Sequence, residues 1–239
     1  MTTLENNKKI VIVIPAFNEA TVIEQVLGGL KKESFENVVV IDDGSLDDTY
    51  SIAKKSGFVV LRHLINRGKG AATQTGLDAA GILGADVVVS MDADDQHSVE
   101  DVKTLIAPIM NNECDVVLGS RFLVKNSGIP GSKIMMNKIA NLITYIFYGV
   151  FVTDSQSGFR AYSKKANELI HTDMDRYEFE SQILNQIRYF GLSYKEVPIS
   201  VKYNKYTKTK YDNMKGVQPQ NLLNGIKMVF KMIIRSIMS

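Results

Sequence analysis

At 239 residues and 45% hydrophobic content, the chain is long enough to bury one substantial α/β core and calls for no second folded domain. One cysteine, Cys114, excludes an internal disulfide and suits a reducing compartment, where it is expected to be an inert core thiol. The net charge of +2 hides an asymmetry, because Arg160 to Ser239 holds fourteen Lys or Arg against seven Asp or Glu. Without aromatic platforms or RNA-binding signatures, that basic half argues against nucleic acid and for phosphate-bearing partners. Met1 to Lys8 is polar and lacks the apolar segment of a secretory signal, so the active site is expected to face the cytosol.

In chain order, the first apolar run, Ile10 to Ile14, reads as a strand that Pro15 ends, followed by Ala16-Phe17-Asn18-Glu19 and a helix from Glu19 to Lys32. Val38 to Ile41 is a second strand, running into Asp42-Asp43-Gly44-Ser45-Leu46-Asp47-Asp48. Asp47 and Asp48 sit where they cap the next helix, Asp47 to Gly57, whereas Asp42 and Asp43 precede the capping positions and are better placed to bond a base or ribose. Asn66-Arg67-Gly68-Lys69-Gly70 opens a helix predicted over Gly68 to Leu83. Ala85 to Ser90 is a strand that ends in Met91-Asp92-Ala93-Asp94-Asp95-Gln96-His97. On an extended chain Asp92, Asp94 and Gln96 share one face, and three oxygen-bearing side chains suit a hard divalent ion, Mg²⁺ or Mn²⁺. The alternative is an acidic turn in which Ser98 and Asp101 cap the helix from Ser98 to Met110. Asp115 to Leu118 is the next strand, with Gly119-Ser120-Arg121-Phe122 at its end. This rhythm of strands and helices predicts a mostly parallel sheet with helices on both faces, whose ligands gather outside the carboxyl ends of the strands.

Beyond Arg121 the pattern is less regular. Leu123 to Ser132 and Tyr203 to Gly216 read as active-site loops, and the second carries Lys205, Lys208 and Lys210, placed either to close over a diphosphate or lipid phosphate or to form a solvated basic loop. The apolar run Leu142 to Val152 is too short to span hydrocarbon, which takes about 20 residues. It is either an interfacial helix, with Lys133 and Lys138 at headgroup level and Ile143, Phe147 and Phe151 turned inward, or a buried core helix. Tyr177-Glu178-Phe179-Glu180 starts a helix, and Ser193 to Tyr203 is a strand. Leu222 to Met238 sets Leu222, Ile226, Val229, Phe230, Ile233 and Ile237 on one face, with Lys227, Lys231 and Arg235 at its edge. This basic amphipathic helix is suited to a membrane surface or to packing on the domain or a second subunit. The expected division is a catalytic domain over residues 1–216 and this helix over 217–239.

Taken in order and spacing, Ile14-Pro15-Ala16-Phe17-Asn18-Glu19, the Asp42 to Thr49 turn, Asn66 to Gly70, Asp92-Ala93-Asp94 and Gly119 to Phe122 resemble the inverting family 2 glycosyltransferases of GT-A fold. Within that family, the chain between Lys9 and Tyr203 is most similar to the dolichol-phosphate-mannose synthase and polyprenyl-phosphate glycosyltransferase group. The resemblance implies that Asp92 and Asp94, with Gln96 as third ligand, hold Mg²⁺ or Mn²⁺ against a donor diphosphate. It implies that Pro15, Asn18, Glu19, Asp42, Asp43 and the Arg67-Gly68-Lys69 loop line the nucleotide site. Arg121 resembles the arginine that meets phosphate near the reacting centre; the alternative is a surface salt bridge.

Asp154 to Tyr162 resembles the synthase segment Asp-x-x-Ser-Gly-Phe-Arg, with Lys133, Lys138 and Arg160 as cations near it in sequence and Lys208 and Lys210 as further cations for phosphate. Asn137, Lys138 and the bulky run from Tyr145 to Phe151 depart from the arginine-rich segment expected there, which leaves GDP-mannose, UDP-glucose and UDP-N-acetylhexosamines all open as donors. A polyprenyl phosphate acceptor is already anionic and needs cations rather than a strong base. A sugar hydroxyl, as in capsule, wall or glycoprotein glycan synthesis, needs a carboxylate within reach, for which Glu178 or Glu180 is the candidate. Peripheral contact with a membrane follows from the lipid reading, with a membrane-protein partner as a further expectation. Two rival classes fit less well. A sugar-nucleotide-forming nucleotidyltransferase carries a glycine-rich phosphate loop where this chain has Pro15 to Glu19, and a catalytically silent binding protein has no need of Asp92, Asp94 and Arg121 together.

Overall fold

The computed structural model describes residues 8–124, 131–172 and 179–202. Its elements run β1 (Ile10–Ala16), α1 (Ile23–Lys32), β2 (Val38–Asp42), α2 (Thr49–Lys55), β3 (Val59–Arg62), α3 (Lys69–Ile82), β4 (Val87–Ser90) and α4 (Asp101–Met110). Then come β5 (Val116–Ser120), α5 (Gly131–Tyr148), β6 (Arg160–Ser163), α6 (Lys164–Leu169), α7 (Phe179–Tyr189) and β7 (Tyr194–Pro198). The described strands form one sheet in the order β3-β2-β1-β4-β6-β5-β7. Every neighbouring pair is parallel except those made by β6, which runs antiparallel to both β4 and β5. The mostly parallel α/β sheet expected from the sequence is therefore present, with one reversed strand.

Alternation along the strands builds two cores. Ile12, Ile14, Val38 and Val40 face Leu27, Leu30, Val102 and Leu105 of α1 and α4. Val11, Val13, Val39 and Ile41 face Leu77 of α3, together with Tyr162, Ile183 and Leu184. The second layer lies close to the sheet at Gly76, where an alanine Cβ would stand 2.0 Å from Val13 Cγ1 and 2.7 Å from Ile41 Cδ1. Only the absence of a side chain lets α3 pack there. Cys114 is a buried free thiol whose pKa is pushed up, chiefly by burial, in keeping with an inert core role.

Several boundaries differ from the expectations. Pro15 does not end its strand, because β1 stays paired with β2 through Ala16↔Asp42, while its pairing with β4 stops at Val13↔Ser90. Alternation turns the nitrogen of residue 15 toward the β4 side, beyond the end of that ladder, so the missing N–H removes no bond. Helix α1 begins at Ile23 rather than Glu19: Asn18 has φ 54°, and Glu19 instead accepts the amides of Val22 and Ile23 on its carbonyl. The short, half-exposed edge strand β3 and the reversed strand β6, which carries Arg160, were not expected.

Helix α5 spans Gly131–Tyr148, earlier than the apolar run suggested, and Gly149 at φ 61° ends it with its N–H on the Tyr145 carbonyl. It is not a buried core helix. Asn137 and Thr144 are buried, whereas Met135, Ile139, Leu142, Tyr145 and Ile146 are exposed, Ile146 by 65%. Phe147, expected to reach inward among the apolar anchors, is half-buried. Its polar side faces the protein and its apolar side faces out. Among the described residues no helix is long and apolar enough to cross a membrane.

Candidate active site

The order of the sheet turns at β1, with β2 and β3 on one side and β4 on the other. At such a switch point the loops leaving adjacent strands part and open a crevice at their carboxyl ends. The acidic turns after β2 and β4 and the Asn18-Glu19 turn after β1 all lie there.

On the β2 side, Asp43 is buried and fully engaged. Its Oδ1 meets His63 Nδ1 at 2.7 Å and accepts the amide of Arg67 at 2.9 Å, while Oδ2 accepts the amide of Gly68 at 2.7 Å. The carboxylate thus shapes the Arg67-Gly68-Lys69 loop, with Gly68 at φ 98°. His63, whose Nε2 lies 3.0 Å from Thr75 Oγ1, holds Asp43 from behind; a lone histidine after an edge strand carries no motif that would have revealed it. Asp42 is fully buried and paired with Arg62 Nε at 2.9 Å. Asn18 ties the turn after β1 to that after β2, its Oδ1 accepting the amide of Leu46 at 2.9 Å and its own amide donating to Ser45 Oγ at 2.9 Å. The amide of Glu19, a buried residue, donates to Thr49 Oγ1 at 2.7 Å. Asp48 occupies the N-cap position of α2 without a side-chain cap bond; Asp47, one residue earlier, accepts the amide of Thr49 at 3.0 Å instead. These bonds tie the turns after β1 and β2 to each other and to the Arg67-Gly68-Lys69 loop.

On the β4 side, charges from distant parts of the chain converge. Lys69 Nζ lies 2.7 Å from Asp92 Oδ1 and 3.6 Å from Glu180 Oε1, and His97 Nε2 lies 3.7 Å from Asp92 Oδ2. Burial alone would lower the Lys69 pKa, but the carboxylates of Asp92 and Glu180 hold it well above the usual lysine range. Asp92 is held far below the usual carboxylate range in spite of its burial, by the charge of Lys69 and by His97. Asp94 is shifted the other way, raised by burial and by the negative charge of Asp92. Glu180 is likewise raised by burial, against the opposing pull of Lys69 and Arg160. The segment before β6 closes over this cluster: a Cβ at Gly158 would stand 2.8 Å from Lys69 Nζ and 3.3 Å from Asp92 Oδ1. His97, stacked on Phe159 with ring centroids 4.8 Å apart, was not singled out in the sequence.

No group of three or more His, Cys, Asp or Glu among the described residues is arranged as a metal cage. A Mg²⁺-type site needs none, since one or two carboxylates suffice when water and substrate phosphates complete the shell. The donor set fits such an ion. Asp92 and Asp94 are two oxygen-bearing groups whose mutual repulsion already disfavours the Asp94 charge, and a divalent cation would relieve it. Gln96 serves Asp94 directly, donating from its backbone N at 3.1 Å and from Nε2 at 2.6 Å.

At the end of β5, Arg121 forms a two-pronged pair with the buried Asp154, Nε at 2.6 Å from Oδ2 and Nη2 at 2.7 Å from Oδ1. It is neither a loose surface arginine nor a surface salt bridge, since Asp154 is fully buried while the Arg121 side chain is 26% exposed. Arg160, expected to offer a cation to phosphate, is turned inward instead. Its guanidinium donates to the carbonyls of Ser157, Glu180 and Ser155 at 2.9, 3.1 and 3.1 Å, and the residue is 1% exposed. Three backbone acceptors use the fork that a phosphate would need, so Arg160 braces the segment from Ser155 to Gly158 and the start of α7. Glu178, Lys205, Lys208, Lys210 and residues 217–239 lie outside the described residues.

The sequence model of glycosyl transferase family 2 matches residues 11–170. Uncharacterized protein MJ1222 of Methanocaldococcus jannaschii is 42% identical over 97% of this chain and 94% of its own length. The UDP-N-acetylglucosamine–dolichyl-phosphate N-acetylglucosaminyltransferase of Methanococcus voltae is 34% identical, covering 95% of this chain and 96% of its own length. Among solved structures, glucosyl-3-phosphoglycerate synthase from Mycobacterium tuberculosis, in complex with Mn²⁺, UDP and glucosyl-3-phosphoglycerate, matches with a TM-score of 0.70 at 22% identity, over 96% of this chain and 78% of that one. The chain belongs to glycosyl transferase family 2. It is a glycosyltransferase of GT-A fold, of the inverting class expected from its motifs.

Proposed function

We propose that this glycosyltransferase moves a hexose, with inversion and with help from Mg²⁺ or Mn²⁺, from a nucleotide sugar to a polyprenyl or dolichyl phosphate at a membrane surface. The observation that carries this reading is the inside-out helix α5. Its polar face bonds to the segment that holds Asp154 and Arg121, and its apolar face, with Met135, Ile139, Leu142 and Ile146, is exposed. An acceptor with an anionic head and a hydrocarbon tail asks for that combination: a fixed guanidinium beside a surface that tolerates lipid. The dolichyl-phosphate acceptor named for the Methanococcus voltae relative supports the same class, and its donor makes a UDP-N-acetylhexosamine the first nucleotide sugar to test, beside GDP-mannose and UDP-glucose.

In this reading, the turns around Asp42, Asp43, Asn18 and Glu19, with Pro15 beneath them, receive the nucleoside. Asp92 and Asp94, with Gln96 as third ligand, would hold the metal ion, which would supply Lewis-acid stabilisation of the diphosphate leaving group. Lys69 keeps Asp92 ionised and orients it. Arg121 faces the acceptor phosphate, with Lys208 and Lys210 as further cations and the basic, apolar stretch 217–239 as a second interfacial element. Inversion takes a single in-line displacement and no protein nucleophile. Donor, acceptor and a membrane-embedded protein partner, if one supplies the lipid, meet on the cytosolic face.

The membrane contact has a direct test. The Ile139→Glu/Ile146→Glu double variant is expected to lose co-sedimentation with phosphatidylglycerol vesicles while melting at the wild-type temperature, because both side chains are exposed. Unchanged sedimentation would remove α5 from the interface.

A sugar acceptor is the second reading, and one feature favours it: Glu180 presents a buried Oε2 with no hydrogen-bond partner among the described residues, beside Lys69 and Asp92. A base at that position would be indispensable to a neutral hydroxyl and dispensable to a phosphate. Glu180→Gln is therefore expected to retain transfer to polyprenyl phosphate within about tenfold, against the 10²- to 10⁴-fold loss typical of a missing general base. A loss of the larger size would move Glu180 to the centre of the chemistry and the acceptor to a sugar.

A further inference from the structure

One feature of the fold is used by neither the nucleotide cage nor the metal ligands. Residues Thr153 to Ser155 sit at the meeting point of α5, β5 and β7. The Thr153 carbonyl accepts from Asn137 Nδ2 at 2.6 Å and from Asn141 Nδ2 at 2.7 Å, both on α5. Asn141 Oδ1 accepts the amide of Ser155 at 3.0 Å. From the other side, Glu196 of β7 accepts the Thr153 amide on both oxygens at 2.9 Å, the Thr153 hydroxyl at 2.9 Å and the Asp154 amide at 3.3 Å. Ser120, next to Arg121, bonds the Thr153 hydroxyl at 2.6 Å. The residue so enclosed on both flanks is Asp154, whose carboxylate fixes the Arg121 fork.

We infer that Glu196 and Asn141 are positioning residues for acceptor transfer: together they hold Thr153 to Ser155 so that Asp154 presents Arg121 in one orientation, and they join that arginine to helix α5. The inference deepens the proposed function and rests on its assignment of Arg121 to the acceptor.

The physical case is economy of bonding. Thr153 is not close-packed by apolar neighbours alone but is held through its N–H, its C=O and its hydroxyl, each with a side-chain partner from a different element. A segment tied at every polar group has little freedom to translate. A guanidinium can match a phosphate through two parallel N–H bonds only if its plane is preset, so the benefit of this bracing falls on Arg121. Glu196 is half-buried on β7 and Asn141 half-buried on α5, and neither belongs to the nucleotide cage or the metal-binding turn.

The test is steady-state kinetics with donor and acceptor varied separately, using whichever acceptor the wild-type enzyme glycosylates. If polyprenyl phosphate is not that acceptor, the proposed function fails while the bracing is still tested. Glu196→Ala and Asn141→Ala are each expected to lower kcat/KM for the acceptor by about tenfold to a hundredfold, the scale of a displaced reacting group. The KM for the donor should stay within about twofold. Glu196→Gln, whose amide oxygen still accepts from Thr153 and Asp154, should recover most of the loss, as should Asn141→Asp for the Ser155 amide alone. Thermal melting sets an assay temperature at which each variant is folded; should Glu196→Ala not fold, Asn141→Ala and Glu196→Gln carry the comparison. A donor KM that rises in step with the acceptor KM, a Glu196→Gln variant as impaired as Glu196→Ala, or variants as active as wild type would each overturn the assignment.

Discussion

Asp94→Ala is expected to reduce turnover by about 10²- to 10³-fold, the cost of removing one group that stabilises developing charge in a closed site, without loss of stability. The second half of that expectation separates a functional carboxylate from a structural one. Asp94 is half-buried and its pKa is raised by burial and by the charge of Asp92, so its removal relieves a like-charge contact that offsets the loss of its two bonds from Gln96. The melting temperature of Asp94→Ala in metal-free buffer should stay close to that of wild type. With Mn²⁺ and a nucleoside diphosphate added, wild type should gain thermal stability by mass action and the variant should gain much less. An Asp94→Ala variant that melts well below wild type, or that keeps its metal-dependent shift, would assign Asp94 to the fold and leave the metal to other ligands.

Arg121→Ala should behave in the opposite way, losing stability and activity together. It leaves Asp154, fully buried, as a carboxylate stripped of its cation, and breaking a buried pair from one side costs about 3–5 kcal/mol. Arg121→Lys should not restore activity, because one ammonium does not reproduce the Nε and Nη2 bonds that fix the fork. The informative variant is Arg121→Ala/Asp154→Asn. Removing the stranded charge should recover most of the stability measured by urea denaturation, while kcat/KM for the acceptor stays low. Recovery of both would show that Arg121 matters only as the partner of Asp154.

The sequence made the strand ends legible because two signals coincide there. Runs such as Val38 to Ile41 and Val87 to Ser90 are buried on both faces, and acidic residues follow them, directly at Asp42 and after Met91 at Asp92. The residues at the crevice could therefore be named in advance. What each one does depends on partners that only the topology supplies. Lys69 reads from the sequence as part of a loop lining the nucleotide site, and it lies against Asp92 and Glu180, where the segment before the reversed strand β6 brings Gly158 over the end of β4. Arg160 looked like a cation for phosphate, since a sequence does not tell an arginine facing a crevice from one turned into three backbone carbonyls. His63 and His97 carried no signal of their own, and Glu196 is one glutamate in a strand whose bond to Thr153 has no counterpart in spacing. Helix α5 was legible as an apolar run but not in its orientation, which Asn137 and Thr144 decide by facing inward.

The central claim is the acceptor, and it is tested most directly by mass spectrometry of the products formed when the purified protein, with Mn²⁺ or Mg²⁺, meets a panel of nucleotide sugars and two phosphate acceptors, polyprenyl phosphate and the soluble phosphoglycerate. The account predicts a hexosyl polyprenyl phosphate that forms from one donor and is absent with Asp94→Ala. Glycosylated phosphoglycerate, or transfer only to a sugar hydroxyl with the lipid left unmodified, would contradict it.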